Sequence, residues 1–89
     1  MPQRNLTIQN SLGLHLRPVA KLVAEAGKYE SQIFISKDGL KVNGKSPMGI
    51  MMLAAGKDSV ITIEAVGNDA EEALDALEDL VVRRKFDEE

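Results

Sequence analysis

Two hydrophobic periods alternate along the chain and predict different secondary structures. Apolar residues at every second position, as in Leu6 and Ile8 or Ile33 and Ile35, predict half-buried strands. Apolar residues three and four positions apart predict amphipathic helices. The predicted strands cover about 5–9, 32–36, 40–42 and 59–66, and the predicted helices cover about 16–26, a short segment from 47, and a last segment from about 70 to 85.

These elements follow the order βαββαβα. Strands that alternate apolar with polar residues contact the core with one face and water with the other, as antiparallel sheets commonly do. The helices must then share the apolar face of the sheet. The sequence therefore predicts an α+β open-faced sandwich: one domain over residues 1–89, with a four-stranded antiparallel sheet and three helices on one face.

Local signals indicate where the helices begin and end. Gly27 suits a left-handed stop for the first helix, and Ser46 suits the N-cap of the second. Asn68 with Glu71 three residues later predicts a capping box for the last helix. The acidic ending that follows Lys85 (residues 86–89) is expected to fray.

Composition excludes several classes of function. The net charge of -3 argues against nucleic acid, because nucleic-acid binders concentrate positive charge. The absence of cysteine fits a reducing cytosol, so we expect a cytoplasmic protein. The first nine residues lack the apolar segment of a signal peptide, and no apolar run approaches the roughly 20 residues of a membrane-spanning helix, so we expect no membrane insertion.

The segment 13–18, Gly-Leu-His-Leu-Arg-Pro, carries the candidate chemistry, because it holds the only histidine at a predicted helix start. The first N–H groups of a helix lack partners within it and, with the helix dipole, favour an anion such as phosphate. The imidazole is substantially neutral near pH 7 and is nucleophilic. We therefore predict His15 as a phosphoryl acceptor, Arg17 as its charge partner, and the backbone amides of Leu16 and Arg17 as phosphate ligands. The alternative is an interaction module in which His15 is only a helix cap.

Other chemistries find less support in the sequence. A single histidine with no acidic pair or ligand cluster around it gives no basis for a metal site or a hydrolase triad, so we expect neither metal nor cofactor. Residues 39–46 match the phosphate-loop pattern G-x-x-x-x-G-K-[ST]. However, residues 40–42 are predicted as a strand and the following helix is short and begins with proline. We interpret this match as chance.

The segment 13–18 resembles the active-site signature of the histidine-containing phosphocarrier proteins, HPr, of the bacterial phosphotransferase system. Residues 43–46, Asn-Gly-Lys-Ser, followed by Met-Gly-Ile-Met at 48–51, resemble the family's regulatory-serine signature. The resemblance covers essentially the whole chain. It implies that His15 takes a phosphoryl group on Nδ1 from the first enzyme, phosphoenolpyruvate-protein phosphotransferase. His15 would then pass the group to a histidine of a sugar-specific or regulatory acceptor protein.

Two positions depart from the family pattern. Leu16 stands where family members commonly have alanine, and Pro47 stands where many have an aliphatic residue. Leu16 and the acidic ending slightly favour a nitrogen-related or purely regulatory branch of the family. This branch and the sugar-transport branch both remain as alternatives. Ser46 is a candidate for regulation by a serine kinase and phosphatase, with a plain N-cap as the alternative.

A methionine-rich segment beside the predicted site suggests a surface for partner proteins. Met48, Met51 and Met52 cannot all face inward from so short a helix, although we expect about half of them to pack in the core. Leu16 and Ala20 on the first helix would extend this surface around the histidine. A carrier must release each partner quickly, so a small transient interface and a monomer are expected.

Overall fold

The computed structural model describes residues 2–88 and has the predicted element order. Its strands are β1 (Gln3–Thr7), β2 (Gln32–Lys37), β3 (Leu40–Asn43) and β4 (Val60–Val66). Its α-helices are α1 (Leu16–Ala26), α2 (Pro47–Met51) and α3 (Ala70–Glu78). None of the helices within the described residues is long and apolar enough to cross a bilayer.

The four strands form one antiparallel sheet in the order β1-β4-β2-β3. β4 is central, so that Ile63 lies opposite Arg4 of β1 and Ile35 of β2. Ile61 and Ile63 are buried beneath the helices, whereas the intervening Thr62 lies on the open face. The period-2 pattern of β4 is thus realised as predicted, and the α+β open-faced sandwich is confirmed. The first strand is predicted over 5–9 but lies two residues earlier, because Gln3–Thr7 are the residues that pair with β4.

The helices cover the other face of the sheet with their apolar stripes. The resulting core is almost entirely aliphatic, and among residues 2–88 Phe86 is the only fully buried aromatic side chain. The buried helical residues include Val19, Leu22 and Ala26 of α1, Ile50 of α2, and Ala73, Leu74 and Leu77 of α3.

Two of the predicted helix signals are wrong. Gly27 ends α1 with a right-handed backbone, at φ -66°, rather than a left-handed one. The N-cap of α3 is Asp69 rather than Asn68, so no capping box forms there. The Asp69 carboxylate instead accepts hydrogen bonds from the N–H groups of Glu30 and Ser31 and from the hydroxyl of Ser31. It therefore ties the α1–β2 connection to the start of α3.

The end of the chain is anchored, contrary to the prediction that it frays. After α3 a wider π-helical turn spans Asp79–Arg83, and the Arg84 N–H donates to the Asp79 carbonyl at 2.8 Å. Residues 85–88, which we name the 85–88 strap, then fold back over the domain. The side chain of Phe86 in this strap is fully buried. Position 89, also predicted to fray, lies outside the described residues.

The 85–88 strap contains strained backbone that its contacts must stabilise. Lys85, Phe86 and Asp87 have φ values of 49°, 57° and 59°, although none of them is glycine. Three successive left-handed residues are unfavourable by about 1–2 kcal/mol each. Besides the burial of Phe86, the strap is held by ion pairs from Asp87 to Arg84 at 2.6 Å and to Lys21 of α1 at 3.2 Å.

Candidate functional site

His15 is the N-cap of α1, as the sequence predicted. Its backbone is extended, and its carbonyl accepts the first helical hydrogen bond, from the Val19 N–H at 3.0 Å. The N–H groups of Leu16 and Arg17 precede that bond and have no acceptor within the helix, while Pro18 has no N–H. Together with the helix dipole, these two donors make the start of α1 suited to an anion.

A tight loop fixes where His15 enters the helix. Gly13 has φ +67°, and a Cβ at this position would lie 2.5 Å from the Ala55 carbonyl oxygen. The next residue, Leu14, is buried and donates its N–H to that same oxygen at 2.8 Å. The side chain of Asn10 donates to the Gly13 carbonyl at 2.8 Å. Only glycine fits this approach, which joins the loop before α1 to the segment after α2.

The imidazole of His15 is held by a carboxylate from the other end of the chain. Its Nε2 lies 3.0 Å from Oε2 and 3.2 Å from Oε1 of Glu88. Burial opposes ionisation of Glu88, but hydrogen bonds from His15 and Asn10 outweigh it and lower the pKa of the carboxyl. An ionised carboxylate can only accept, so Nε2 carries the hydrogen, and in the neutral ring Nδ1 carries the lone pair.

Six residues line an open depression around the imidazole, and the predicted site residues His15, Leu16, Arg17 and Ala20 are among them. The other two are Leu12 and Glu88. Leu16 is 73% exposed at the rim, and Arg17 is exposed as well. The positive charge of Arg17 also contributes to the lowered pKa of Glu88. The His15 side chain is 36% exposed, so a partner protein can reach it from solvent.

Glu88 and Asn10 are the site residues that sequence reasoning missed. The only signal for Glu88 was indirect: Phe86 is the one apolar residue in an otherwise charged ending and could have indicated an anchored segment. Asn10 gave no signal, because a polar residue in a loop is ordinary. In the structure its side chain is fully buried and its Nδ2 donates to Glu88 at 3.0 Å.

The second predicted region lies on α2, outside the six residues that line the depression. Ser46 is confirmed as the N-cap, since its hydroxyl oxygen accepts a hydrogen bond from the Gly49 N–H at 3.2 Å. The expectation that about half of the methionine side chains pack in the core is wrong. Met48, Met51 and Met52 are 76%, 42% and 67% exposed, and α2 packs against α1.

The phosphate-loop pattern is not realised as a loop. Residues 40–43 of that pattern form β3 and pair with β2, so they are not a loop that could cradle phosphate. Within residues 2–88, no three histidine, aspartate or glutamate side chains are gathered to hold a metal ion.

Comparison with known proteins places the chain in a family. The family model for PTS-HPr, described as the PTS HPr component phosphorylation site, matches residues 2–83. The phosphocarrier protein HPr of Cupriavidus necator is 51% identical over 84 residues, which cover 94% of each chain. The HPr-like protein Crh of Halalkalibacterium halodurans is 48% identical over 77 residues, covering 86% of this chain and 92% of the relative.

Solved structures agree with this result. The structure of HPr-C-His from Thermoanaerobacter tengcongensis has a TM-score of 0.95 at 47% identity and covers 100% of this chain and 99% of its own. The structure of HPr from Bacillus anthracis has a TM-score of 0.86 at 50% identity, covering 90% of this chain and 95% of its own. By its sequence and its fold, the chain belongs to the HPr family, the phosphocarriers of the phosphotransferase system.

Proposed function

We propose that this chain carries a phosphoryl group on Nδ1 of His15 between proteins of the phosphotransferase system. One observation carries the proposal: the only histidine stands at the N-cap of α1 with Nε2 bonded to Glu88. That bond leaves Nδ1 as the free nucleophile of the neutral ring. The donor is the phosphorylated first enzyme, phosphoenolpyruvate-protein phosphotransferase, and the final acceptor is a sugar-specific or regulatory protein.

The chemical step requires little beyond positioning and charge. The Nδ1 lone pair attacks the phosphorus, the bond from phosphorus to the donor breaks, and the donor keeps that electron pair. The N–H groups of Leu16 and Arg17 donate hydrogen bonds to the phosphoryl oxygens, and the Arg17 guanidinium balances their charge. Onward transfer is the same step in reverse towards another protein, so no cofactor is needed.

The surface around His15 supports brief contact with several partners. Leu16 and Ala20 on α1 and the three methionines of α2 (Met48, Met51 and Met52) are exposed apolar side chains, and α2 packs against α1. Such side chains adapt to more than one partner. Because all residues of the site come from one chain, we propose a monomer that acts in the cytoplasm, where phosphoenolpyruvate is available.

Ser46 is proposed as a second, regulatory phosphorylation site, acted on by a serine kinase and phosphatase. Its hydroxyl stands at the N-cap of α2, where a phosphate would meet the positive end of the helix. Added negative charge beside the exposed methionines would weaken docking of an acidic partner. Pro47, the next residue, would restrict which kinase can bind the segment.

The test uses the first enzyme of Cupriavidus necator with phosphoenolpyruvate. The chain should gain one acid-labile, base-stable phosphate, detected by intact mass and by its hydrolysis profile. His15→Ala should abolish labelling, whereas Ser46→Ala, a hydroxyl truncation outside the depression, should leave it intact. If the chain stays unlabelled while the Cupriavidus necator HPr is labelled in the same mixture, the proposal is wrong.

A further inference from the structure

We infer that Glu88 is a positioning residue that directs phosphorylation to Nδ1 of His15 by holding the opposite ring nitrogen. This inference rests on the proposed function of His15 and concerns which nitrogen reacts and how the ring charge is balanced. It assigns a task to the 85–88 strap, which the sequence alone gave no reason to place near the site.

The carboxylate is held firmly enough to orient a ring. Both of its oxygens lie within 3.2 Å of Nε2, and its side chain is only 15% exposed. The fully buried Asn10 donates one amide N–H to the Gly13 carbonyl at 2.8 Å and another to Glu88 Oε1 at 3.0 Å. Asn10 thereby couples the carboxylate to the loop that sets the entry of α1.

The course of the strap points to the same role. Left-handed backbone at Lys85, Phe86 and Asp87 turns the chain back towards α1, and a relaxed ending would avoid that strain. Burial of Phe86 and the ion pairs of Asp87 to Arg84 and Lys21 retain the turn. The residue that emerges from this turn is Glu88, with its carboxylate on His15.

The contact matters for the charge that develops on the ring. When Nδ1 of the neutral ring forms its bond to phosphorus, Nε2 keeps its hydrogen and the imidazole becomes positively charged. Glu88 lies against that hydrogen and stabilises the charge, as a buried aspartate does for the histidine of a serine protease. On onward transfer the N–P electron pair returns to Nδ1, and a neutral ring leaves. A ring that keeps its Nε2 hydrogen throughout is the better leaving group.

The experiment uses phosphoramidate, a small donor that phosphorylates imidazole without a partner protein. Its P–N bond breaks as the N–P bond to histidine forms, and ammonia leaves. Because the chain has one histidine, ¹⁵N and ³¹P NMR of the product reports directly which nitrogen carries phosphorus. The variants are Glu88→Ala, Glu88→Gln, which retains an acceptor for Nε2–H, and Glu72→Gln, which removes one charge from an exposed position of α3.

The intact chain and Glu72→Gln should give the Nδ1 product alone. Glu88→Ala should give a mixture with Nε2 phosphohistidine, a mixed ring tautomer before reaction, and a rate about tenfold lower, which is the lower end of the loss when a metal-ligating histidine loses its hydrogen-bonded partner. Glu88→Gln should restore the Nδ1 preference but not the full rate.

Two results would overturn the inference. If Glu88→Ala gives only the Nδ1 product at an unchanged rate, the contact is structural, whatever the change in thermal stability. If it reacts faster, the carboxylate blocks the site rather than orienting it. Because the donor is not a protein, a failure with the first enzyme would affect only the proposed function and would be distinguishable from either result.

Discussion

Phe86→Ala distinguishes an anchored strap from a frayed ending. Phe86 is fully buried, although it sits in the middle of a left-handed turn and only three residues from the end of the sequence. Its side chain is the main apolar attachment of the strap to the core. Truncation should therefore destabilise the domain and also release Glu88 from His15.

The expected size of the effect follows from two opposing terms. Truncating a fully buried phenylalanine costs about 3–5 kcal/mol. Release of the strap relieves left-handed backbone strain, but it also removes the ion pairs of Asp87 and the contact of Glu88 with His15, so that only about 1 kcal/mol of the loss is recovered. We expect a net loss of about 2–4 kcal/mol in the free energy of unfolding, which for a domain of this size lowers Tm by roughly 10–25 °C.

Urea unfolding of the variant measures the loss, and the ¹⁵N spectrum of His15 reports whether Nε2 still has its partner. Phe34→Ala is the matched control, since Phe34 is half-buried on the open sheet face. Its truncation should lower the free energy of unfolding by less than Phe86→Ala does. A loss below about 0.5 kcal/mol, the size typical of exposed positions, together with an unchanged His15 spectrum would refute the anchored strap.

Three further predictions concern the turn, the cap and the pH profile. Gly13→Ala should lower the free energy of unfolding, measured in urea, by about 2–4 kcal/mol, because the backbone has positive φ and the new Cβ would lie 2.5 Å from a carbonyl oxygen. An unchanged free energy of unfolding would contradict the close approach. Ser46→Ala should lower stability by about 1 kcal/mol through loss of the bond to the Gly49 N–H, while Ser46→Asp should retain the cap. Hydrogen bonds from Arg84 and then Lys21 lower the pKa of Asp87 from 3.8 to about 2, so its stabilisation is present above about pH 4 and lost as the pH falls towards 2. Acid titration of Asp87→Asn should show a shallower decline between pH 4 and pH 2 than the intact chain.

The periodic features of this fold could be predicted from the sequence because they depend on near neighbours. Alternation in the strands and the stripe of α1 required only that one face be buried. Ser46 at an N-cap and His15 before Pro18 are also local signals, and both stand where the pattern placed them. Helix ends that depend on distant partners were not predictable in this way, as Asp69 shows.

Only those site residues that lie close together in the sequence could be predicted. His15 and Arg17 are two residues apart and share one helix start, whereas Glu88 is 73 positions from His15. Of the residues Lys-Phe-Asp only the aspartate occasionally adopts left-handed backbone, which glycine normally supplies, so the sequence does not predict three such residues in succession. Burial of Phe86 and two ion pairs decide the course of the strap, and these exist only once the core has formed.

The most direct test of the account is the ³¹P and ¹⁵N NMR spectrum of the histidine-labelled chain after reaction with the first enzyme and phosphoenolpyruvate. With one histidine, any phosphohistidine signal comes from the His15 ring, and the ¹⁵N spectrum distinguishes its two nitrogens. The account predicts one phosphohistidine signal, with phosphorus on Nδ1 of His15, that disappears when pyruvate is added and the transfer runs in reverse. Phosphorus on Nε2, on Ser46, or nowhere in the chain would contradict it.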